Sequence, residues 1–157
     1  MTGYIARLRD SVGHDPLLVV SASACLRDGG GRILLLRRCN GNNLWGFPGG
    51  AMELGEGIRG TVVREVREET GLEVEPAAMI GVYSNPEYGF AYPNGDLVQP
   101  VTLFFDCRVV GGSLRPDGVE IRDARYFGPR DQLPPMRPCC VAKARDALAF
   151  RGRPFLR

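Results

Sequence analysis

The sequence predicts a layered domain of the α/β or α+β class, in which strands and helices share one hydrophobic core. Three observations predict it. Runs rich in Val, Leu and Ile, bounded by glycines and polar turns, recur along the chain as strands at 17–26, 32–38 and 99–110. A segment of helical periodicity over 57–70 lies between the second and third of these runs and stops at Gly71. No repeat, low-complexity tract or internal linker divides the 157 residues, so 1–157 reads as one domain.

With 44% hydrophobic and 24% charged residues, the composition excludes collagen, coiled coil and wholesale disorder. A net charge of +2 supplies no field that would draw the whole molecule onto nucleic acid. Cys25, Cys39, Cys107, Cys139 and Cys140 form an odd count without a CxxC spacing, so free thiols in a reducing cytosol are expected. One segment imitates an export signal: Arg7 and Arg9 precede the apolar run Leu17–Leu26. Asp10, His14 and Asp15 interrupt that approach, and a Gly-rich turn followed by Ile33–Leu36 makes strand, turn, strand the better reading. No run reaches the ~18 apolar residues of a membrane span, so the expectation is a soluble, cytoplasmic protein.

The elements follow in order. Residues 1–16 form a polar lead-in with helical potential, followed by strands at 17–26 and 32–38. Residues 39–55, with Asn40, Asn42, Asn43, Pro48 and many glycines, read as a loop. The helix of 57–70 comes next, then an extended run over 74–84 and a turn-rich loop over 85–95. In the strand 99–110, Val101, Leu103, Phe105 and Cys107 alternate against Thr102 and Asp106, and Gly111-Gly112 should end it. A short strand is expected at 124–127. Pro138 opens a last helix over 139–150, whose apolar stripe is Cys140, Ala144 and Leu148.

The helix of 57–70 carries the chemistry. At ~100° per residue, Ile58, Val62, Val63, Val66 and Thr70 form the stripe that faces the core. Glu65, Glu68 and Glu69 fall together on its flank, where like charges repel and partial burial adds a desolvation penalty. A divalent cation such as Mg²⁺, which prefers oxygen ligands, would remove that penalty. The competing reading is a solvated acidic face laced by Arg64 and Arg67. Upstream, Gly49-Gly50 offers bare backbone and a carbonyl oxygen, and Glu56 sits just before the helix within reach of Arg64.

Gly50, five residues, Glu56, seven residues and Arg64-Glu65-Val66-Arg67-Glu68-Glu69-Thr70-Gly71-Leu72 resembles the complete signature of the Nudix hydrolases. Residues 32–38, Leu44–Gly49, Ala124–Phe127 and Gln132–Pro134 also look like that family's surroundings. The resemblance implies an α/β/α sandwich with a mixed β-sheet. It also implies a MutT-like, small bacterial-type enzyme that hydrolyses the pyrophosphate of a nucleoside diphosphate linked to another group. One departure lies inside the box: relatives often carry alanines where this chain has Thr61 and Val62.

Carried over residue by residue, the resemblance makes Glu65, Glu68 and Glu69 metal ligands together with the Gly50 carbonyl, for Mg²⁺ with Mn²⁺ as a substitute. Arg64 would hold Glu56 or Glu65 through its fork of donors. The general base stays open among Glu65, Glu87 and Glu120, Glu120 also being a candidate late ligand. Arg37 and Arg38 are candidate phosphate contacts, although strand neighbours point to opposite faces. Trp45 and Phe47 read as packing under the loop. In the loop Asn85–Asp96, Tyr88 and Tyr92 are candidate substrate contacts, with Asn94 or Asp96 reading polar edges. A hairpin tip at Asn94-Gly95 is the alternative. Pro86 and Tyr88 give contradictory cues between ADP-ribose and dinucleoside polyphosphates, so the implied partner is a small nucleotide of unspecified class. A nucleotide sensor without catalysis and an RNA-end pyrophosphohydrolase are the rival readings; the basic tail Arg151–Arg157 is modest support for RNA. A homodimer is compatible with the sequence, which is silent on oligomeric state.

Overall fold

The computed structural model describes residues 3–39 and 43–157; Asn40 and Asn42, assigned above to a loop, lie outside the described residues. Its elements are α1 (Gly3–Val12), β1 (Leu17–Leu26), β2 (Ile33–Arg38), β3 (Trp45–Gly46), β4 (Gly49–Ala51), α2 (Ile58–Thr70), β5 (Leu72–Tyr83), a 3₁₀ turn (Pro86–Tyr88), β6 (Phe90–Ala91), β7 (Leu97–Gly112), β8 (Ile121–Phe127), α3 (Pro138–Ala149) and β9 (Phe155–Leu156).

The larger sheet runs β4-β1-β7-β5-β9, with β6 also paired to β7; β3-β2-β8 form a smaller antiparallel sheet. The larger sheet is mixed: β1 lies parallel to β7, and β5 lies antiparallel to it. Successive side chains of a strand point to opposite faces, and here both faces are covered. Ala22, Ala24 and Leu26 of β1, with Leu34 and Leu36 of β2, pack with Val62 and Val66 of α2. Cys25, Ile33 and Leu35 point the other way and pack with Ala144 and Ala147 of α3. The result is the α/β/α sandwich. Full burial of Val62 and Val66 contributes about 1.5–3 kcal/mol each, which pins α2 in register. Gly71 ends that helix in a left-handed conformation with φ 72°, its N–H donating to the Arg67 carbonyl.

Several expectations are corrected. The loop over 39–55 contains β3 and β4, whose glycines, with Pro48 between the two strands, hide their pairing with β2 and β1. Gly111 and Gly112 continue β7 beside Glu73 and Leu72. A Cβ at Gly112 would stand 2.3 Å from the Gly71 carbonyl oxygen, so glycine there permits the close approach instead of ending the strand. In β7 the alternation misplaces the core, because Phe104 and Phe105 are both buried on opposite faces and Thr102 is buried through its bond to Ser21. In α3 the buried set is Lys143, Ala144, Asp146 and Ala147, and Leu148 is exposed. All five cysteines are free. Among the described residues, no helix is long and apolar enough to cross a membrane.

Candidate active site

Antiparallel pairing of β4 with β1 sets Gly49 opposite Ser23 and Gly50 opposite Ala22, and α2 packs across both strands. Gly49 adopts φ 143°, and a Cβ there would lie 2.2 Å from the Ala22 carbonyl oxygen. The bare backbone at 49 therefore serves contact with β1, not with a ligand. Gly50 differs. Its missing Cβ would stand 2.5 Å from the Glu65 carboxyl group, so the Glu65 carboxylate occupies the space that glycine leaves.

Glu69 points inward from α2 and is 2% exposed. The Gly49 N–H donates to its Oε2 at 2.8 Å, and Arg38 Nη1 lies 2.9 Å from Oε1. That ion pair lacks hydrogen-bond geometry, which leaves Oε1 a buried acceptor without a hydrogen bond among the described residues. Burial pushes the Glu69 carboxyl up to about 7; Arg38 and the Gly49 N–H oppose the rise, and the charges of Glu65 and Glu120 add to it. Burial also raises Glu65, against the pull of Arg64.

Arg64 organises the outer half. Its Nε donates to Glu56 Oε1 at 2.6 Å and its Nη2 to Glu56 Oε2 at 3.1 Å, a bidentate pair. Nη1 reaches Glu65 at 2.8 Å and Glu68 at 3.1 Å, while Nη2 also bonds the Ala51 carbonyl. The Arg64 guanidinium holds Glu56 down at about 2, helped by the Glu53 N–H and the Thr61 hydroxyl. The side chain of Glu68 is 60% exposed. Among the described residues no three carboxylate, histidine or cysteine groups converge tightly enough to hold a metal as they stand. Each of the three glutamates already has a cation for a partner: Arg64 for Glu65 and Glu68, Arg38 for Glu69. The donor chemistry nevertheless suits a hard cation: adjacent carboxylates, the two deeper ones penalised when charged, and one with an unsatisfied buried oxygen.

Other predicted residues divide. Arg38 lies in the site, also donating to the Gly49 carbonyl. Arg37 does not join it; one position earlier on β2 it faces the other way and reaches Asn43 at 3.1 Å. Glu120 is exposed, and its charge acts on both Glu69 and Arg38. Glu87 bonds Asn85 at the 3₁₀ turn. Tyr88 is buried with Tyr83 under the α3 side of the sheet, which corrects the expectation of an exposed stacking ring. Tyr92 remains half-buried beside Phe90, its hydroxyl close enough to act on Arg38. Asp96 is buried and tied to His14, Arg9 and Asn94, so it and Asn94 fasten the hairpin to α1 instead of facing a substrate. Gly95 turns that hairpin with φ 91°. Phe47 packs edge-on against Phe104. Arg157 of the basic tail pairs with Asp146.

Sequence reasoning missed two residues. Thr61, noted only as a departure from small alanines, is fully buried and donates from Oγ1 to Glu56 at 2.9 Å. Its spacing of five from Glu56, one helical turn into α2, was the available signal. Arg137, the residue before α3, left none.

Glutamates on the flank of a helix, set against a glycine-bearing strand in an α/β/α layer, define a hydrolase-like carboxylate centre. The NUDIX domain family matches residues 17–145, and the chain belongs to it. A "MutT-like protein" of Streptomyces ambofaciens is 39% identical over 127 residues, covering 73% of this chain and 75% of that protein. An "ADP-ribose pyrophosphatase" of Methanocaldococcus jannaschii is 36% identical over 98 residues, 61% of this chain. The aligned part spans about half of that archaeal protein, 54%. The crystal structure of an ADP-ribose pyrophosphatase from Streptococcus suis superposes with a TM-score of 0.68 at 24% identity, over 88% of this chain and 97% of that one; it supports the fold.

Proposed function

We propose that this chain is a divalent-metal-dependent pyrophosphohydrolase acting on a nucleoside diphosphate linked to a further group. The observation that carries the reading is the buried, incompletely bonded Glu69 carboxylate beside Glu65 and Gly50. Glu65, Glu68, Glu69 and the Gly50 carbonyl would hold Mg²⁺, with Mn²⁺ as a substitute. When bound, such a cation neutralises pyrophosphate charge and lowers the pKa of an attacking water. The chain's own contribution is orientation. Arg64 fixes Glu56 and Glu65 through its planar fork, and the Gly49 N–H fixes one oxygen of Glu69, leaving the other for the ligand set. Glu65 and Glu120 remain the candidates for general base; the hydrogen bonds of Glu87 to Asn85 make it the weaker choice.

Relatives named for ADP-ribose support placing ADP-ribose first among substrates, with nucleotide sugars, nucleoside triphosphates and dinucleoside polyphosphates after it. The test is that panel assayed with Mg²⁺ and Mn²⁺ on the purified chain. Metal-dependent release of a nucleoside monophosphate or of pyrophosphate is expected, abolished in Glu68→Gln and Glu69→Gln. Absence of turnover on every member rejects the reading. A pH–rate profile of Glu120→Gln that matches the unsubstituted enzyme removes Glu120 from the mechanism.

A further inference from the structure

A buried or half-buried arginine ordinarily has a carboxylate, because desolvating an unpaired charge is costly. Arg9, Arg27, Arg38 and Arg64 obey this, pairing with Asp96, Asp106, Glu69 and, for Arg64, Glu56 among others. Arg137 does not. It is half-buried as the residue before Pro138 at the start of α3, and among the described residues it has no ion pair. Burial pushes it below the ordinary arginine value, and the titratable groups that act on it most strongly are Tyr92, Cys139, Cys140 and Arg38, none of them a carboxylate. Instead its guanidinium carbon lies 3.6 Å from the ring centre of Phe90. A cation so stacked is fixed in plane by the ring while its N–H groups stay available along the edge.

The surroundings place that cation at the mouth of the carboxylate site. Met136 bridges to Trp45, and the Trp45 N–H donates to the Pro135 carbonyl, which ties the start of α3 to the strand preceding Gly49-Gly50. Phe90 and Tyr92 pack in the same cluster as Ala51, the neighbour of Gly50, and the Ala51 carbonyl is bonded by Arg64. Arg38, the other cation acting on Arg137, is itself bonded to Gly49 and paired with Glu69. Two positive charges thus border a site whose deep wall is carboxylate, and only the inner one is neutralised by protein.

We propose that Arg137, held flat on Phe90, binds phosphate oxygens of the substrate from the hairpin side of the site. This rests on the pyrophosphohydrolase reading and names a substrate-positioning residue for it. The stack supplies orientation, and the missing counter-ion is the anionic substrate itself.

The test measures calorimetric binding of inorganic pyrophosphate and of ADP without divalent cation, which reads the anion site whether or not any substrate is turned over. The unsubstituted chain should bind both, Arg137→Gln should bind at least about tenfold more weakly, and Arg137→Lys should fall between. Phe90→Leu, which keeps the charge but removes the stack, should also weaken binding. In steady-state assays on the best panel substrate, Arg137→Gln should raise KM about tenfold and change kcat less than about threefold, the pattern of lost substrate binding. Its melting temperature should stay within a few degrees; if the Gln variant does not fold, the Lys and Phe90→Leu variants decide. Equal pyrophosphate affinity in variants and parent, or no binding by the parent, overturns the proposal. Failure of hydrolysis with the binding difference intact overturns only the enzymatic reading.

Discussion

Glu69 and Asp146 are equally buried carboxylates, each 2% exposed, on helices that cover opposite faces of the sheet. Asp146 is fully bonded: the Tyr83 hydroxyl donates at 2.9 Å, and Arg157 donates through Nε at 3.0 Å and Nη2 at 2.7 Å. Glu69 has one N–H bond, one ion pair of poor geometry and an oxygen left over. The difference teaches that burial of a charge does not by itself mark function. A satisfied network closes a structure, here by docking the C-terminal strand against β5. An unfinished network keeps coordination capacity for something that arrives.

The comparison can be broken by exchanging the effects of the two carboxylates. Glu69→Gln should reduce hydrolysis at least about a hundredfold while the melting temperature moves by only a few degrees, since an amide at this position relieves a desolvated charge. Asp146→Ala should do the reverse. It strands Tyr83 and Arg157 and should lower the melting midpoint by about 10 °C, with kcat and KM of the surviving fold unchanged. Activity loss in the second variant, or unfolding in the first, would show that the two sites are not divided in this way.

Smaller effects sharpen the picture around Arg64. Glu56 is held down at about 2 from an ordinary 4.5, so the stability it contributes is fully present above about pH 4.5 and is lost as pH falls towards 2. Glu56→Gln should therefore narrow the acid sensitivity of unfolding in that window, and parallel urea titrations at pH 6, 4 and 3 would measure it. The smallest change is expected of Thr61→Ala, which removes one donor to Glu56 and should cost about 1 kcal/mol of stability with partial activity retained.

Much of this was legible in the sequence, and the exceptions share causes. The strand Leu17–Leu26 and the helix ending at Gly71 were readable because apolar period and stop signal agree locally. The strands β3 and β4 were not, since a Gly-Phe-Pro-Gly-Gly context carries little β-propensity and their pairing is decided by partners distant in sequence. In β7 the visible alternation is out of phase with burial over 100–104, because both faces are covered and the deeper positions there are Thr102 and Phe104. The glutamates and Arg64 were visible as a pattern at helical spacing. Which arginine of Arg37 and Arg38 enters the site followed only from the register of β2. Asp146, Tyr88 and Arg137 were opaque because their meaning depends on contacts across the fold: Tyr83 with Arg157, the α3 face, and Phe90.

The central claim is that Glu65, Glu68 and Glu69 hold a divalent cation. Electron paramagnetic resonance of Mn²⁺ titrated into the purified chain tests it without any substrate. The account predicts a bound-ion signal in the parent that weakens at least about tenfold in affinity in Glu68→Gln and in Glu69→Gln, both variants remaining folded. Equal Mn²⁺ affinity in all three proteins would contradict it.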